Sequence, residues 1–294
     1  MSRALAVLAL AVAASTTATP APAAADTPRW RQLSPPPAMP TPATSGRVEI
    51  DGGATIYWAT YGDAGAPPVV LLHGGMGSAD DFAAQVPALA RAFRVVVLDS
   101  RGHGRSTRGT RGKRRLGYHR MAEDTIAVLD HLGLAQAAFV GWSDGGIVAL
   151  DVAIHHPGRV TRLAVTGTNY TRAGTKPAGK GTPFTAYFAR CAAEYERLAP
   201  DPTQLAALRK ELRAMWKREP AYTETQLGGI GAPLLVLHGE HDEIIRRTHV
   251  EQLVALVPDA ELVVLADVSH FAMWQDPAAF NRALLAFLQA PARR

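Results

Sequence analysis

Five residues, Gly141-Trp142-Ser143-Asp144-Gly145, constrain this chain more than any other stretch. Residues 137–142 form a short apolar run that suits a buried strand, and Ile147, Val148, Ala149, Leu150, Val152, Ala153 and Ile154 suit a buried helix. Between them lies the G-x-S-x-G pattern of a nucleophile elbow. The spacing has a steric origin. So sharp a turn holds its serine in a strained backbone conformation, so the residues two before and two after must be nearly free of side chain. The hydroxyl then projects from the turn, and the helix behind it offers its positive end to developing negative charge. By itself the pattern also fits a glycine-rich turn carrying an incidental serine, so its partners must be found elsewhere in the chain.

The 294 residues are 47% hydrophobic, enough for a sizeable core in one large domain or two small ones. Cys191 is the only cysteine, which excludes an internal disulfide framework and disfavours a structural zinc site of the usual kind. The formal charge is +5. Seven of the fifteen residues 101–115 are Arg or Lys, and without interleaved aromatics they read as a solvated, mobile loop rather than a nucleic-acid site.

Arg3, the apolar run 4–14 and Ala23-Ala24-Ala25 have the layout of a secretory signal peptide cleaved near Ala25. The run is too short for a comfortable membrane span, so no stable membrane insertion is expected. The expectation is a secreted or periplasmic protein with residues 1–25 as signal peptide. Residues 26–45, rich in Pro and Ala, are expected to form a disordered tether outside the fold.

The remainder alternates. Strands are expected over 47–50, 54–61, 68–72, 93–98, 137–142, 160–165, 233–237 and 261–265. Helices are expected over 78–92, 121–134 and 276–288, with another behind the elbow. Such alternation implies an α/β fold, a mostly parallel sheet covered by helices on both faces with an antiparallel hairpin at its start. Residues 168–230 interrupt it with helical patterns at 184–198 and 203–217. Inserted between two strands, they describe a helical cap over a core formed by 46–167 and 231–290.

A serine hydroxyl needs a base within hydrogen-bond reach. His270 lies just after the last strand, in a loop that a parallel sheet delivers to the same edge as the elbow. Asp242 follows the preceding strand and supplies the carboxylate that an imidazole base requires. The order Ser143, Asp242, His270 is that of elbow-type hydrolases. Glu240 and Glu243 are alternative carboxylates and His73 an alternative base, although its neighbours suggest a structural role. His238, His241, Asp242 and Glu243 lack a helical i, i+4 face and a second cluster, so no metal site is expected. The His155-His156 pair reads as surface or capping residues. For oxyanion donors, His73-Gly74-Gly75-Met76-Gly77 and the elbow point to the N–H groups of Gly75 (Met76 in reserve) and Asp144. Met76, Trp142, Asp144, Tyr170 and Phe271 are the expected substrate contacts, with Trp274, Tyr187 and Phe188 as further candidates.

These residues, with Asp99-Ser100-Arg101-Gly102-His103-Gly104-Arg105-Ser106, resemble the α/β-hydrolase fold superfamily over residues 47–289. Gly141 to Ile147 together with Thr166-Gly167-Thr168-Asn169 are similar to the valacyclovir hydrolase (biphenyl hydrolase-like) group and, less closely, to proline iminopeptidases and enol-lactonases. The resemblance implies a cofactor-free serine esterase acting on small-molecule esters, with Asp144 helping to receive an ammonium group. Helix stabilisation is the plainer role for Asp144. The signal peptide and the basic loop depart from that group. Aminopeptidase, amidase or lactonase chemistry and a non-catalytic binding protein of the same fold are the rivals.

Overall fold

The computed structural model describes residues 27–109, 116–179 and 182–291. The expected signal peptide and residues 110–115 of the basic loop lie outside the described residues. Eight strands form one sheet: β1 (Thr44–Ile50), β2 (Ala54–Tyr61), β3 (Pro68–Leu72), β4 (Arg94–Leu98), β5 (Ala137–Trp142), β6 (Val160–Thr166), β7 (Leu234–Gly239) and β8 (Ala260–Leu265). Their spatial order is β1-β2-β4-β3-β5-β6-β7-β8. β1 and β2 form an antiparallel hairpin, β2 runs antiparallel to β4, and all later neighbours are parallel. This is the α/β-hydrolase architecture. The central strands β3, β4 and β5 are apolar, except for Arg94 at the start of β4, because helices cover both of their faces.

The helices are α1 (Val86–Leu89), α2 (Tyr118–His131), α3 (Asp144–His155), α4 (Phe184–Leu198), α5 (Leu205–Trp216), α6 (Glu224–Gly228), α7 (Arg247–Leu256), α8 (Ala272–Gln275) and α9 (Pro277–Gln289). α3 is buried along nearly its whole length, so its sequence is largely apolar rather than striped, with Asp151 as the buried polar exception. α4, α5 and α6 occupy the long excursion between β6 and β7. Strand pairs outside the sheet, Thr171 with Ala221 and Thr175 with Ile245, pin the ends of that excursion.

Four expectations need correction. The helix expected over 78–92 is two pieces, a 3₁₀ turn Ala79–Phe82 and then α1. Pro87 is tolerated only in the first turn of a helix, so the chain breaks and restarts ahead of it. Ser78 nonetheless caps the first piece, accepting from the Asp80 N–H. α7, between β7 and β8, was not anticipated; it buries His249, Val250 and Leu253.

The described part of the expected tether is docked, not free. Arg29–Arg31 form a 3₁₀ turn, Arg29 donates to Asp276 at 2.9 Å, and Trp30 stacks on His241 with centroids 4.7 Å apart. The proline-rich composition hid the aromatic and cationic anchors that offset the cost of ordering it. The described half of the basic loop is also internally paired. Arg101 is buried against Asp124, Arg105 reaches Asp80 at 2.7 Å and Asp99 at 3.2 Å, and Arg108 pairs with Glu211. Apart from Asp99, those acids lie on other segments, so pairwise neutralisation was invisible to a count of charges along the loop.

Packing at the elbow is the tightest point of the fold. A Cβ on Gly145 would lie 2.0 Å from the Leu72 carbonyl oxygen, a backbone atom of β3 that has no room to retreat. Gly145→Ala is therefore expected to cost about 2–4 kcal/mol of stability. Gly158→Ala, where nothing lies within 4 Å of the new methyl, should be nearly neutral. Urea unfolding of the two variants against the parent checks the contrast.

Candidate active site

Ser143 stands between β5 and α3 with φ 53° and ψ −120°, a conformation a non-glycine residue adopts at a cost of about 1–3 kcal/mol. Neighbouring backbone enforces it. A Cβ on Gly141 would meet the Gly145 carbonyl at 2.4 Å, and one on Gly146 would meet the Thr168 hydroxyl at 1.9 Å. The Ser143 N–H donates to the Thr166 carbonyl at 2.8 Å, tying the turn to the end of β6.

The loops after β7 and β8 are laced together beside this turn. The His241 N–H donates to the Val268 carbonyl at 2.9 Å, and the Asp267 N–H to the Glu240 carboxylate at 3.0 Å. Asp242 is buried and accepts from the N–H groups of Ile244 at 2.9 Å and Ile245 at 2.8 Å. His270 Nδ1 lies 3.2 Å from Asp242 Oδ1 and 3.1 Å from Oδ2, so Nδ1 carries the proton and Nε2 is left as a base. The Glu243 carboxylate accepts from the His270 N–H at 3.0 Å. Thus the three acids of this segment have separate jobs, and Asp242 is the one on the imidazole.

Burial pulls the His270 pKa down, but the Asp242 charge and hydrogen bond, with Glu243 and Asp144 behind them, outweigh it and leave the imidazole above its ordinary value. Burial pushes Asp242 up, yet the His270 charge and hydrogen bond, His238 and the Ile245 N–H hold the carboxyl below the usual range. Packing fixes the ring as well. Gly167, at φ 57°, sits so close that a Cβ there would lie 2.6 Å from His270 Cε1. Trp142 Nε1 donates to the His270 carbonyl at 3.0 Å, and Phe184 lies against the imidazole at 5.2 Å between centroids.

His73 does have a structural role. Its Nε2 accepts the Ser100 N–H at 2.9 Å and its Nδ1 donates to the Gly74 carbonyl at 2.7 Å; burial lowers its pKa to about 4. The Asp99–Ser106 motif is a brace for the same loop. Asp99 accepts from Ala79 at 2.7 Å and Arg105 at 2.6 Å, and Ser106 donates to the Asp99 carbonyl at 2.6 Å. His238 and His241 do not converge on one point. His238 is buried with Nδ1 4.0 Å from Asp242, whereas His241 faces outward onto Trp30.

Ser143 and His270 share the floor of a cavity of about 410 Å³ with Gly75, Trp142 and Asp144. Phe184, Tyr187, Phe188, Trp216, Lys217 and Glu219, from the excursion between β6 and β7, form its far wall. Three expected contacts are not among the lining residues. Met76 is buried in the core at φ 69°, Tyr170 is stacked on His249 at 3.9 Å, and Phe271 is fully buried behind Phe184 and Trp142. Trp274 is likewise committed, donating to the Asp81 carbonyl at 2.7 Å.

Two residues that sequence reasoning missed converge on Asp144. Tyr118 Oη donates to its Oδ1 at 2.8 Å, and Trp216 Nε1 donates to Oδ2 at 2.8 Å. Burial is the main influence on Asp144 and raises its pKa to about 6, with Trp216, Tyr118 and His270 opposing. Tyr118 follows the basic loop and Trp216 ends a cap helix, so no local pattern marks either one. A side chain on Gly75 would fall 2.5 Å from Asp144 Oδ2 and close the space in front of the carboxylate.

A strained serine beside a buried imidazole–carboxylate pair, under a helical roof on a mostly parallel sheet, defines the class: this is an α/β hydrolase. The comparisons agree. The family model described as the alpha/beta hydrolase fold matches residues 67–186. The chain is 30% identical over 261 residues to the pimeloyl-[acyl-carrier protein] methyl ester esterase of Klebsiella pneumoniae, covering 79% of this chain and 96% of that one. It is 27% identical over 268 residues to mouse serine hydrolase BPHL, covering 88% and 91%. It is 32% identical over 263 residues to the dihydrolipoyllysine-residue acetyltransferase component of the acetoin cleaving system of Pseudomonas putida, covering 81% and 68%. Among solved structures, a hydrolase from Pseudomonas aeruginosa superposes with a TM-score of 0.64 at 28% identity, over 84% of this chain and 99% of that one. The chain belongs to the α/β-hydrolase fold family.

The docked N-terminal segment bears on this site through Gln275. Its Oε1 accepts the Ser269 N–H at 2.6 Å, next to His270, while its Nε2 donates to the Trp30 and Gln32 carbonyls at 3.1 and 2.8 Å. Gln275→Ala leaves the buried Ser269 N–H unpaired, at about 1–3 kcal/mol. For a domain of this size the expected fall in Tm is about 2–4 °C per kcal/mol. Thermal unfolding followed by circular dichroism measures it.

Proposed function

We propose that this protein is an exported serine hydrolase that cleaves small carboxylic esters through an acyl-enzyme. The observation that carries the reading is the shared cavity floor: the Ser143 turn and His270, backed by Asp242, open onto one largely apolar space. In this reading His270 Nε2 takes the Ser143 proton as Oγ attacks the ester carbonyl. Asp242 holds the ring in the required tautomer and stabilises the imidazolium. The N–H of Asp144, at the start of α3 where no acceptor lies within the helix, and that of Gly75 receive the oxyanion. His270 then protonates the leaving alcohol, and water repeats the sequence on the acyl-enzyme. The proposal of export rests on residues 1–25. The ester reading draws support from relatives named as a methyl ester esterase and a serine hydrolase.

Ser143→Ala should lower kcat on a short-chain p-nitrophenyl ester by about 10⁶-fold, by analogy with a triad serine elsewhere, and abolish labelling by a fluorophosphonate. Labelling that survives the substitution would overturn the assignment. Because His270 must be neutral to act and its pKa stands above the ordinary value, kcat/KM should rise with pH along a limb centred above about 6.5.

Asp144 gives the acyl pocket a preference. Its carboxylate reaches the cavity, is ionised above about pH 6, and keeps acceptor capacity beyond Tyr118 and Trp216. An ester with a free α-ammonium group is therefore the favoured substrate. Its KM relative to that of the neutral isostere should fall as pH rises through about 6, and Asp144→Asn should erase that difference while preserving the backbone N–H. A ratio independent of pH and unchanged in the variant refutes the preference. The amide rival is separated by comparing an amino-acid ester with its amide.

A further inference from the structure

A second cluster lies at the far end of α3, seven residues and so about 10 Å along the helix from Asp144. Asp151 and His155 stand at i and i+4 on α3, and His119 faces them from the first turn of α2. The side chain of Asp151 is buried, with 2% exposure, whereas those of His119 and His155 are 59% and 37% exposed. Both imidazole Nδ1 atoms point at one oxygen, Asp151 Oδ1, at 2.8 Å from His119 and 3.1 Å from His155. The His155 Nδ1 also lies 3.1 Å from the Asp151 carbonyl. One ligand atom from each of the three side chains falls within 4.8 Å of the others.

We propose that His119, Asp151 and His155 form a binding site for a divalent transition metal ion of the zinc type. Two imidazoles and a carboxylate are the donor set that zinc, nickel and copper prefer over magnesium or calcium. Metal bonds of about 2.1 Å at angles of 90–110° put neighbouring ligand atoms about 3.0–3.4 Å apart. The two nitrogen–oxygen separations, 2.8 and 3.1 Å, are already close to that, and the imidazole nitrogens lie within 4.8 Å of one another, so rotation of the two exposed rings would admit an ion, and water completes its coordination. On binding, each ring's Nδ1 proton gives way to the metal and the neutral ring keeps its proton on Nε2. Glu123, 3.9 Å from His119 Nε2, stands where it would face that proton.

The outer shell is built as well. Tyr222 Oη donates to Asp151 Oδ2 at 2.8 Å, which leaves Oδ1 as the free ligand atom and fixes the carboxylate in place. Tyr222 belongs to the excursion between β6 and β7, and its N–H is held by the Tyr170 carbonyl at 3.0 Å. An ion here therefore joins α2, α3 and the base of the cap. The neighbouring His156, 2.6 Å from Glu123, lies outside the donor set.

The test uses the full chain without an affinity tag, stripped with chelator and titrated with zinc chloride by calorimetry, then with cobalt(II) by visible absorption. One ion is expected per chain, with a rise in Tm. His119→Ala and His155→Ala, both exposed and so compatible with folding, should each weaken binding at least tenfold and remove the rise. Tyr222→Phe should weaken it by about tenfold through the lost carboxylate partner. His131→Ala, twelve residues and so about 18 Å further along α2, should leave it unchanged and is the control of choice. Absence of saturable binding, or binding insensitive to His119 and His155, overturns the proposal.

Discussion

The contact between the first turn of α3 and the end of β3 governs everything else in this molecule. Backbone meets backbone there: Gly145 is set against the Leu72 carbonyl, and Gly141 against the Gly145 carbonyl and Gly146. No side chain fits between them. The helix can begin so close to the sheet only if the residue joining strand to helix turns abruptly, and Ser143 absorbs that turn with a positive φ. The strain of about 1–3 kcal/mol is affordable because the flanking strand is fully buried, and the helix nearly so, and together they over-determine the position. What makes the serine project is therefore the packing of the core, not a local preference of the turn.

A second consequence follows from the parallel arrangement of β5, β6, β7 and β8. Loops leaving the ends of parallel strands emerge on one edge, so residues distant in sequence reach the serine without long excursions. Proximity alone does not position an imidazole. Here the two carrying loops are bound to each other by backbone bonds, Asp242 is held by two N–H groups, and Gly167 leaves room for the ring. The N-terminal segment adds a buttress from outside, since Gln275 bridges its carbonyls to the Ser269 N–H. The imidazole is thus fixed from its carboxylate side, its backbone and its ring face.

How much of this was legible in the residues depended on whether the physics was local. The elbow, the strand boundaries at 54–61, 68–72 and 137–142, and the placing of Asp242 and His270 after strands all follow from periodicity and from glycine spacing. The convergence of Tyr118 and Trp216 on Asp144 does not, because each lies on a helix whose apolar stripe gives no hint of a polar destination. Composition misled in two places. Pro-rich residues 27–43 carry Arg29 and Trp30, whose partners lie more than 200 residues away, and the arginines of the basic loop find most of their acids on other segments. Pocket walls were the hardest to foresee. Met76, Tyr170 and Phe271 stand beside chemically interesting neighbours, yet a bulky apolar group beside a site is as easily drawn into the core as into the cavity.

In the proposed reading, Asp144 is the residue through which the site would acquire selectivity. At the first position of α3 a carboxylate would ordinarily be stabilised as an anion by the helix dipole. Burial opposes that, and the balance leaves it close to half-ionised near pH 6. A group poised in this way is weakly satisfied by its own protein: Tyr118 and Trp216 donate to it, but neither brings a positive charge. In the reading proposed above, a ligand cation would supply what is missing, and among the aromatic rings of the cavity wall its charge would be poorly screened, although Arg172 and Lys217 line the same space. The same carboxylate lies within electrostatic reach of His270, which it helps to keep protonated. Neutralising Asp144 by an incoming ammonium would therefore withdraw part of that support and favour the neutral imidazole needed for the first step of the proposed reaction. Binding of a cationic acyl group and activation of the base would then be coupled through one side chain.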